Sequence, residues 1–140
     1  MRKILLCFVM VLLCGPLGFG QNVPPQWKVV QVVTLIDQLT PVPTTTLFTP
    51  SEDGFYRITA YIGVLGTQQS EWTLNLQWFD ISGQHNSTNL IVGIQVGDNR
   101  WANFSAMFMP APSIPVTYSV TLDLGTATNY FSAITIEKLE

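Results

Sequence analysis

The chain reads as all-β, an antiparallel sandwich. From Gln21 onward Val, Ile, Thr, Tyr, Phe and Trp dominate, turn-forming Gly, Pro, Asn and Asp recur at short intervals, and helical periodicity is missing. The third observation is the segment Gly54–Leu65, GFYRITAYIGVL, whose two alternating faces are both apolar. A strand that is apolar on both sides has to be covered on both sides. One cover is the domain's own core. The other has to come from outside it.

Residues 1–20 have the layout of a secretory signal peptide. Arg2 and Lys3 precede the apolar run Ile4–Leu13, and small or turn-forming residues follow from Gly15 to Gly20. The run is too short to span a bilayer comfortably. With Gly18 and Gly20 as the small residues before the cut, the exported domain spans 21–140 and belongs outside the cytoplasm, secreted or periplasmic. A retained N-terminal helix is the alternative. Both cysteines, Cys7 and Cys14, fall in this segment, and Leu13 is not the small residue that lipidation of Cys14 would require. The exported domain then has no thiol for a disulfide, a nucleophile or a metal site. Its four basic residues (Lys28, Arg57, Arg100, Lys138) face nine acidic ones, a net charge of −5 (4 − 9). Such a surface repels nucleic acid and anionic membrane, and no membrane insertion is expected once the signal is removed. About 120 residues make one domain with one core.

Taken in order, Trp27–Leu39 is a long first strand, and Pro41 and Pro43 interrupt it, as prolines do at an edge or a connection. Thr44–Phe48 is a short strand closed by Thr49-Pro50 and the polar turn Ser51–Gly54. Phe55–Leu65 follows, with Tyr56, Ile58, Ala60, Ile62 and Val64 on one face and Phe55, Arg57, Thr59, Tyr61 and Leu65 on the other. Ser70–Phe79 alternates cleanly, Trp72, Leu74, Leu76 and Trp78 against Thr73, Asn75 and Gln77. Asp80–Gly83 is a turn, extended as a polar connection over Gln84–Asn89. Leu90–Val96 and Arg100–Met109 are strands around Gly97-Asp98-Asn99, a turn of hairpin type. A rigid Pro110–Pro115 connection leads to Val116–Leu124, and Tyr130–Leu139 closes the chain. Eight strands in this length suit a jelly roll, with an eight-stranded up-and-down barrel as the competitor. The proline-rich connections favour crossings between sheets.

Short motifs resemble the C1q and tumour-necrosis-factor-like jelly-roll superfamily. They are Phe48-Thr49-Pro50 followed by Gly54-Phe55-Tyr56-Arg57-Ile58, then Val92–Phe108 with Gly97-Asp98 between two strands, and the closing Tyr130–Ile136. Ala133 stands where that family prefers glycine, and the likeness covers about residues 44–136. The pattern is also similar to small β-domains of phage particle and tail proteins. The resemblance implies a compact homotrimer whose threefold axis is lined by outer-face apolar residues.

Catalytic chemistry finds little footing. His85 is the only histidine and sits in the polar stretch Gly83–Ser87, where a solvated loop residue is the simple reading. A triad lacks its nucleophile motif, zinc lacks clustered ligands, and Glu52-Asp53, Asp80, Asp98 and Asp123 sit in or near turns, where aspartates satisfy local backbone. The expectation is a non-enzyme without cofactor, with a loop calcium as the alternative. Asn86-Ser87-Thr88 and Asn103-Phe104-Ser105 match the glycosylation acceptor pattern.

The aromatic residues carry more. Trp72 and Trp78 share a parity with Leu74 and Leu76 and belong to the core. Trp101 shares its face with Asn103 and Ser105, opposite Phe104 and Phe108, and so points outward with Met107 and Met109. Together with Phe55 and Tyr61 these residues form an apolar surface that predicts subunit contact, with a ligand groove as the alternative. The function expected is an exported structural or recognition module that self-associates, with a protein or glycan ligand. The alternative is a carbohydrate-binding β-sandwich using Trp101.

Overall fold

The alternation along Gly54–Leu65 is realised at the centre of a sheet. In the computed structural model, which describes residues 24–66, 68–94 and 100–140, Tyr56, Ile58, Ala60, Ile62 and Val64 are all buried. They lie on β3 (Tyr56–Val64), which is hydrogen-bonded on both sides. The other strands are β1 (Trp27–Gln38), β2 (Val42–Phe48), β4 (Ser70–Phe79), β5 (His85–Ile94), β6 (Arg100–Phe108), β7 (Val116–Gly125) and β8 (Tyr130–Leu139). They form two four-stranded antiparallel sheets, sheet A in the order β1-β8-β3-β6 and sheet B in the order β2-β7-β4-β5. That is the jelly-roll order. In an up-and-down barrel consecutive strands pair, whereas here β4–β5 is the consecutive pair that shares hydrogen bonds.

The inner faces meet in one core, in which Trp72, Leu74 and Leu76 of β4 oppose Ile58, Ile62, Ile134 and Ile136 of sheet A. Trp72 and Tyr130 pack with ring centroids 4.5 Å apart. The Tyr130 hydroxyl donates to the Thr40 carbonyl at 3.1 Å, tying the β1–β2 connection to the core. Burial, reinforced by Tyr118, pushes the Tyr130 hydroxyl from 10.0 up to about 12. Neutral tyrosine is therefore favoured in the folded state, and the unfolded chain deprotonates first. This part of the stability is complete below pH 10 and is lost as pH rises from 10 to about 12. Urea midpoints measured across that window should fall, and Tyr130→Phe should flatten the fall while costing about 1 kcal/mol at neutral pH.

Three boundaries differ from the sequence reading. Pro43 lies inside β2, which is tolerated because β2 is an edge strand of sheet B. The expected polar connection Gln84–Asn89 is mostly strand, since β5 begins at His85, opposite Phe79. Residues 85–89 of this edge strand are polar on both faces, which hides the alternation. The expected β5–β6 hairpin is instead a crossing, because β5 belongs to sheet B and β6 to sheet A. The Gly97-Asp98-Asn99 turn and the signal segment 1–20 lie outside the described residues.

Candidate functional site

The outer face of sheet A follows from the register. With Ile58, Ile134 and Ile136 pointing inward, Arg57, Thr59 and Tyr61 of β3 point outward and align with their neighbours. Val29, Glu137, Arg57 and Met107 form one row across the four strands, Val32, Thr135, Thr59 and Ser105 the next, and Thr34, Ala133, Tyr61 and Asn103 a third. Beyond them Phe131, Gly63 and Trp101 lie side by side.

All five candidate contact residues, Phe55, Tyr61, Trp101, Met107 and Met109, fall on this face. They gather in two groups rather than one. Phe55, Met107 and Met109 line an apolar groove of about 480 Å³ with Phe108 and Leu139. At the other end Tyr61 packs on Phe131 at 5.4 Å, and the Phe131 ring lies over Gly63, where an added Cβ would come within 2.3 Å of it. The missing side chain at Gly63 therefore lets Phe131 lie flat beside Trp101. Met107 is 70% exposed, Trp101 64% and Phe55 52%. Met107 lies six positions along β6 from Trp101, about 20 Å at strand rise.

β1 adds apolar surface that the sequence reading missed. Val29, Val32 and Ile36 are more than half exposed. Their common face is concealed in the sequence because β1 slips register between Val29 and Gln31, so that alternation changes parity there. The slip is legible only from the pairing with β8. In the same row as Met107, Arg57 donates to Glu137 at 2.6 Å, and its guanidinium lies 4.7 Å from the Trp27 ring centroid. The hydrogen bond to Arg57 holds the Glu137 carboxyl below its usual range. The two charges, on the two central strands of the sheet, thus neutralise each other.

The outer face of sheet B is different in kind. Thr46, Thr117, Gln77 and Ser87 form one row, Ser119, Asn75 and Asn89 the next, and Thr121, Thr73 and Ile91 a third. These are nearly all neutral hydroxyls and amides. Asp123 accepts from the Thr73 hydroxyl and, at 2.9 Å, from the Thr121 hydroxyl, which draws it into the same network. At one end the first row runs into a cleft of about 230 Å³ lined by Gln77, Trp78, Phe79, His85, Ile114, Pro115 and Thr117. His85 is a strand residue and not a loop residue, set edge-on to Phe79 with ring centroids 5.0 Å apart.

The remaining candidates have local partners. Asp80 accepts from the Ser82 and Gln84 backbone N–H groups at 2.9 and 3.0 Å, from the Ser82 hydroxyl at 2.6 Å and from Asn86 Nδ2 at 3.2 Å. These bonds, first that of the Ser82 side chain, hold its carboxyl below the usual range. The same contacts, with a 2.9 Å bond to the Gln84 carbonyl, occupy the amide nitrogen of the Asn86 acceptor triplet. Asn103 is exposed on the sheet A face. Glu52 pairs with Lys138, closing the Ser51–Gly54 turn against β8. Among the described residues no three His, Cys, Asp or Glu side chains gather as metal ligands would.

No family model and no curated protein matches the chain. Solved structures with a similar fold include the CBM22-1–GH10 modules of xylanase 10B from Clostridium thermocellum complexed with xylohexaose, at 16% identity and TM-score 0.38 over 84% of this chain and 25% of that one. A chain of infectious bursal disease virus, Gx strain, is similar at 12% identity and TM-score 0.46 over 81% of this chain and 33% of that one. The CBM22-1 xylan-binding domain of Xyn10C from Paenibacillus barcinonensis is similar at 11% identity and TM-score 0.38 over 85% and 84%. The chain thus spans a quarter to a third of the first two. At these identities the likeness is one of fold.

Proposed function

We propose that this chain is an exported, non-enzymatic structural or recognition module that associates with copies of itself through the outer face of sheet A. The observation that carries this reading is the composition of that face. Trp101, Met107, Phe55, Val29, Val32 and Ile36 are exposed there, and the central charges Arg57 and Glu137 are already paired. Trp, Met, Tyr and Phe are the residues enriched in protein contacts. An acidic chain repels its own copies everywhere except through a neutral face, and this face is neutral. A partner bearing charge would meet Arg57 and Glu137 already held to each other. The resemblance to the C1q and tumour-necrosis-factor-like superfamily gives three as the expected number of copies.

The test is the solution mass of residues 21–140 by light scattering. A mass of three chains is expected at micromolar concentration. A dimer would sink the threefold count, and a monodisperse monomer would sink the association itself.

A further inference from the structure

The outer face of sheet B has no part in that association and carries a site of its own. We propose that the cleft between Phe79, His85, Gln77, Thr117, Ile114 and Pro115 binds a neutral sugar ring, with the rows of hydroxyls and amides beside it receiving further rings of the same oligosaccharide. A pyranose presents an apolar C–H face and a rim of hydroxyls, each both donor and acceptor. The cleft matches both parts. Phe79, 37% exposed, offers a ring, and His85 props that ring edge-on. The Gln77 carboxamide and the Thr117 hydroxyl can each donate and accept, and the His85 imidazole adds a ring N–H donor. Among the described residues none of these three side chains has a hydrogen-bond partner within the chain, so all are available to a ligand.

Charge argues in the same direction. The cleft is lined by no Lys, Arg, Asp or Glu, so an anionic or cationic ligand meets no counter-charge there. The carboxylate at its edge, Asp80, is saturated by its own turn and by Asn86, and that turn fixes where β5 starts and hence where His85 stands. The volume of about 230 Å³ lies below the roughly 300–1,000 Å³ of sites for drug-sized ligands, which suits one ring and not a large cofactor. The site is also separate from the sheet A face, so the inference stands or falls independently of self-association.

His85 is the only histidine, so its ring signal in a hydrogen–carbon correlation spectrum needs no assignment. Cellohexaose, xylohexaose and mannohexaose serve as neutral probes, and a heparin hexasaccharide as the charged one. At least one neutral probe should shift the His85 signal in a saturable way, more tightly than its own monosaccharide does. Phe79→Ala should weaken that binding about tenfold through the lost stacking, and Gln77→Ala should weaken it while unchanged core methyl signals show the variants folded. The proposal is overturned if no neutral probe moves the signal, if only heparin does, if the Trp101 indole responds instead, or if both variants bind like the parent.

Discussion

Gly125→Ala should destabilise the domain by about 3 kcal/mol and lower its melting temperature by roughly 10 °C. Gly125 ends β7 with φ of 81°, a left-handed conformation that costs an L-residue about 1–2 kcal/mol. Space is the larger obstacle. A Cβ at this position would lie 2.1 Å from the Gln69 carbonyl oxygen and 2.8 Å from its carbon, both of them backbone that cannot rotate away. Moving that carbonyl would strain the 3.1 Å hydrogen bond it accepts from the Thr126 N–H, and beside it the buried 2.6 Å contact between Ser70 and Thr128 hydroxyls. Each is worth about 1 kcal/mol. Gly83 is the matched control, with the same φ of 81° and nothing within 4 Å of an added Cβ. Gly83→Ala should cost about 1 kcal/mol. Urea unfolding of both variants separates the two terms, and equal losses would remove the crowding argument.

The centre of the fold was legible in the sequence because its strands alternate without interruption. Trp72, Leu74 and Leu76 against Thr73, Asn75 and Gln77 can be assigned to faces by parity alone, and the same holds for Ile58, Ala60 and Ile62. The edges were less legible for two physical reasons. A strand buried on neither side needs no apolar residues, so His85–Asn89 looks like a loop although it pairs with Phe79–Asn75. A register slip of one residue exchanges faces, so Val29 and Val32 of β1 share the outer face in spite of their odd spacing. Parity also placed Phe55, Tyr61, Trp101, Met107 and Met109 on one face. It could not tell that they form two groups at opposite ends, since that depends on which strands are neighbours. The Phe79–His85 cleft was beyond reach for the same reason, because it is assembled from β4, β5, β7 and the Pro110–Pro115 connection.

Those two groups make different predictions, and Trp101→Glu should have the larger effect on association. Trp101 is 64% exposed in the single chain, so replacing it removes little packing from the domain itself, and the fold should lose no more than about 0.5–1 kcal/mol. In a contact between copies the new carboxylate would be repeated in every copy and desolvated beside Phe131 and Tyr61, with no cation in that group to answer it. Leaving a buried charge unpaired costs about 3 kcal/mol or more, which is a weakening of association of at least about 100-fold. Met107→Glu provides the contrast. Met107 is more exposed, at 70%, yet it stands directly opposite Arg57 in the register, where the new carboxylate would share the guanidinium with Glu137 instead of standing without a cation. Its effect should be several-fold smaller, and smaller still than exposure alone would suggest. Sedimentation of the two variants beside the parent reads this order directly. If Met107→Glu dissociates the copies as completely as Trp101→Glu, the neutralising role given to Arg57 is wrong. If neither changes the mass, the contact lies on another face.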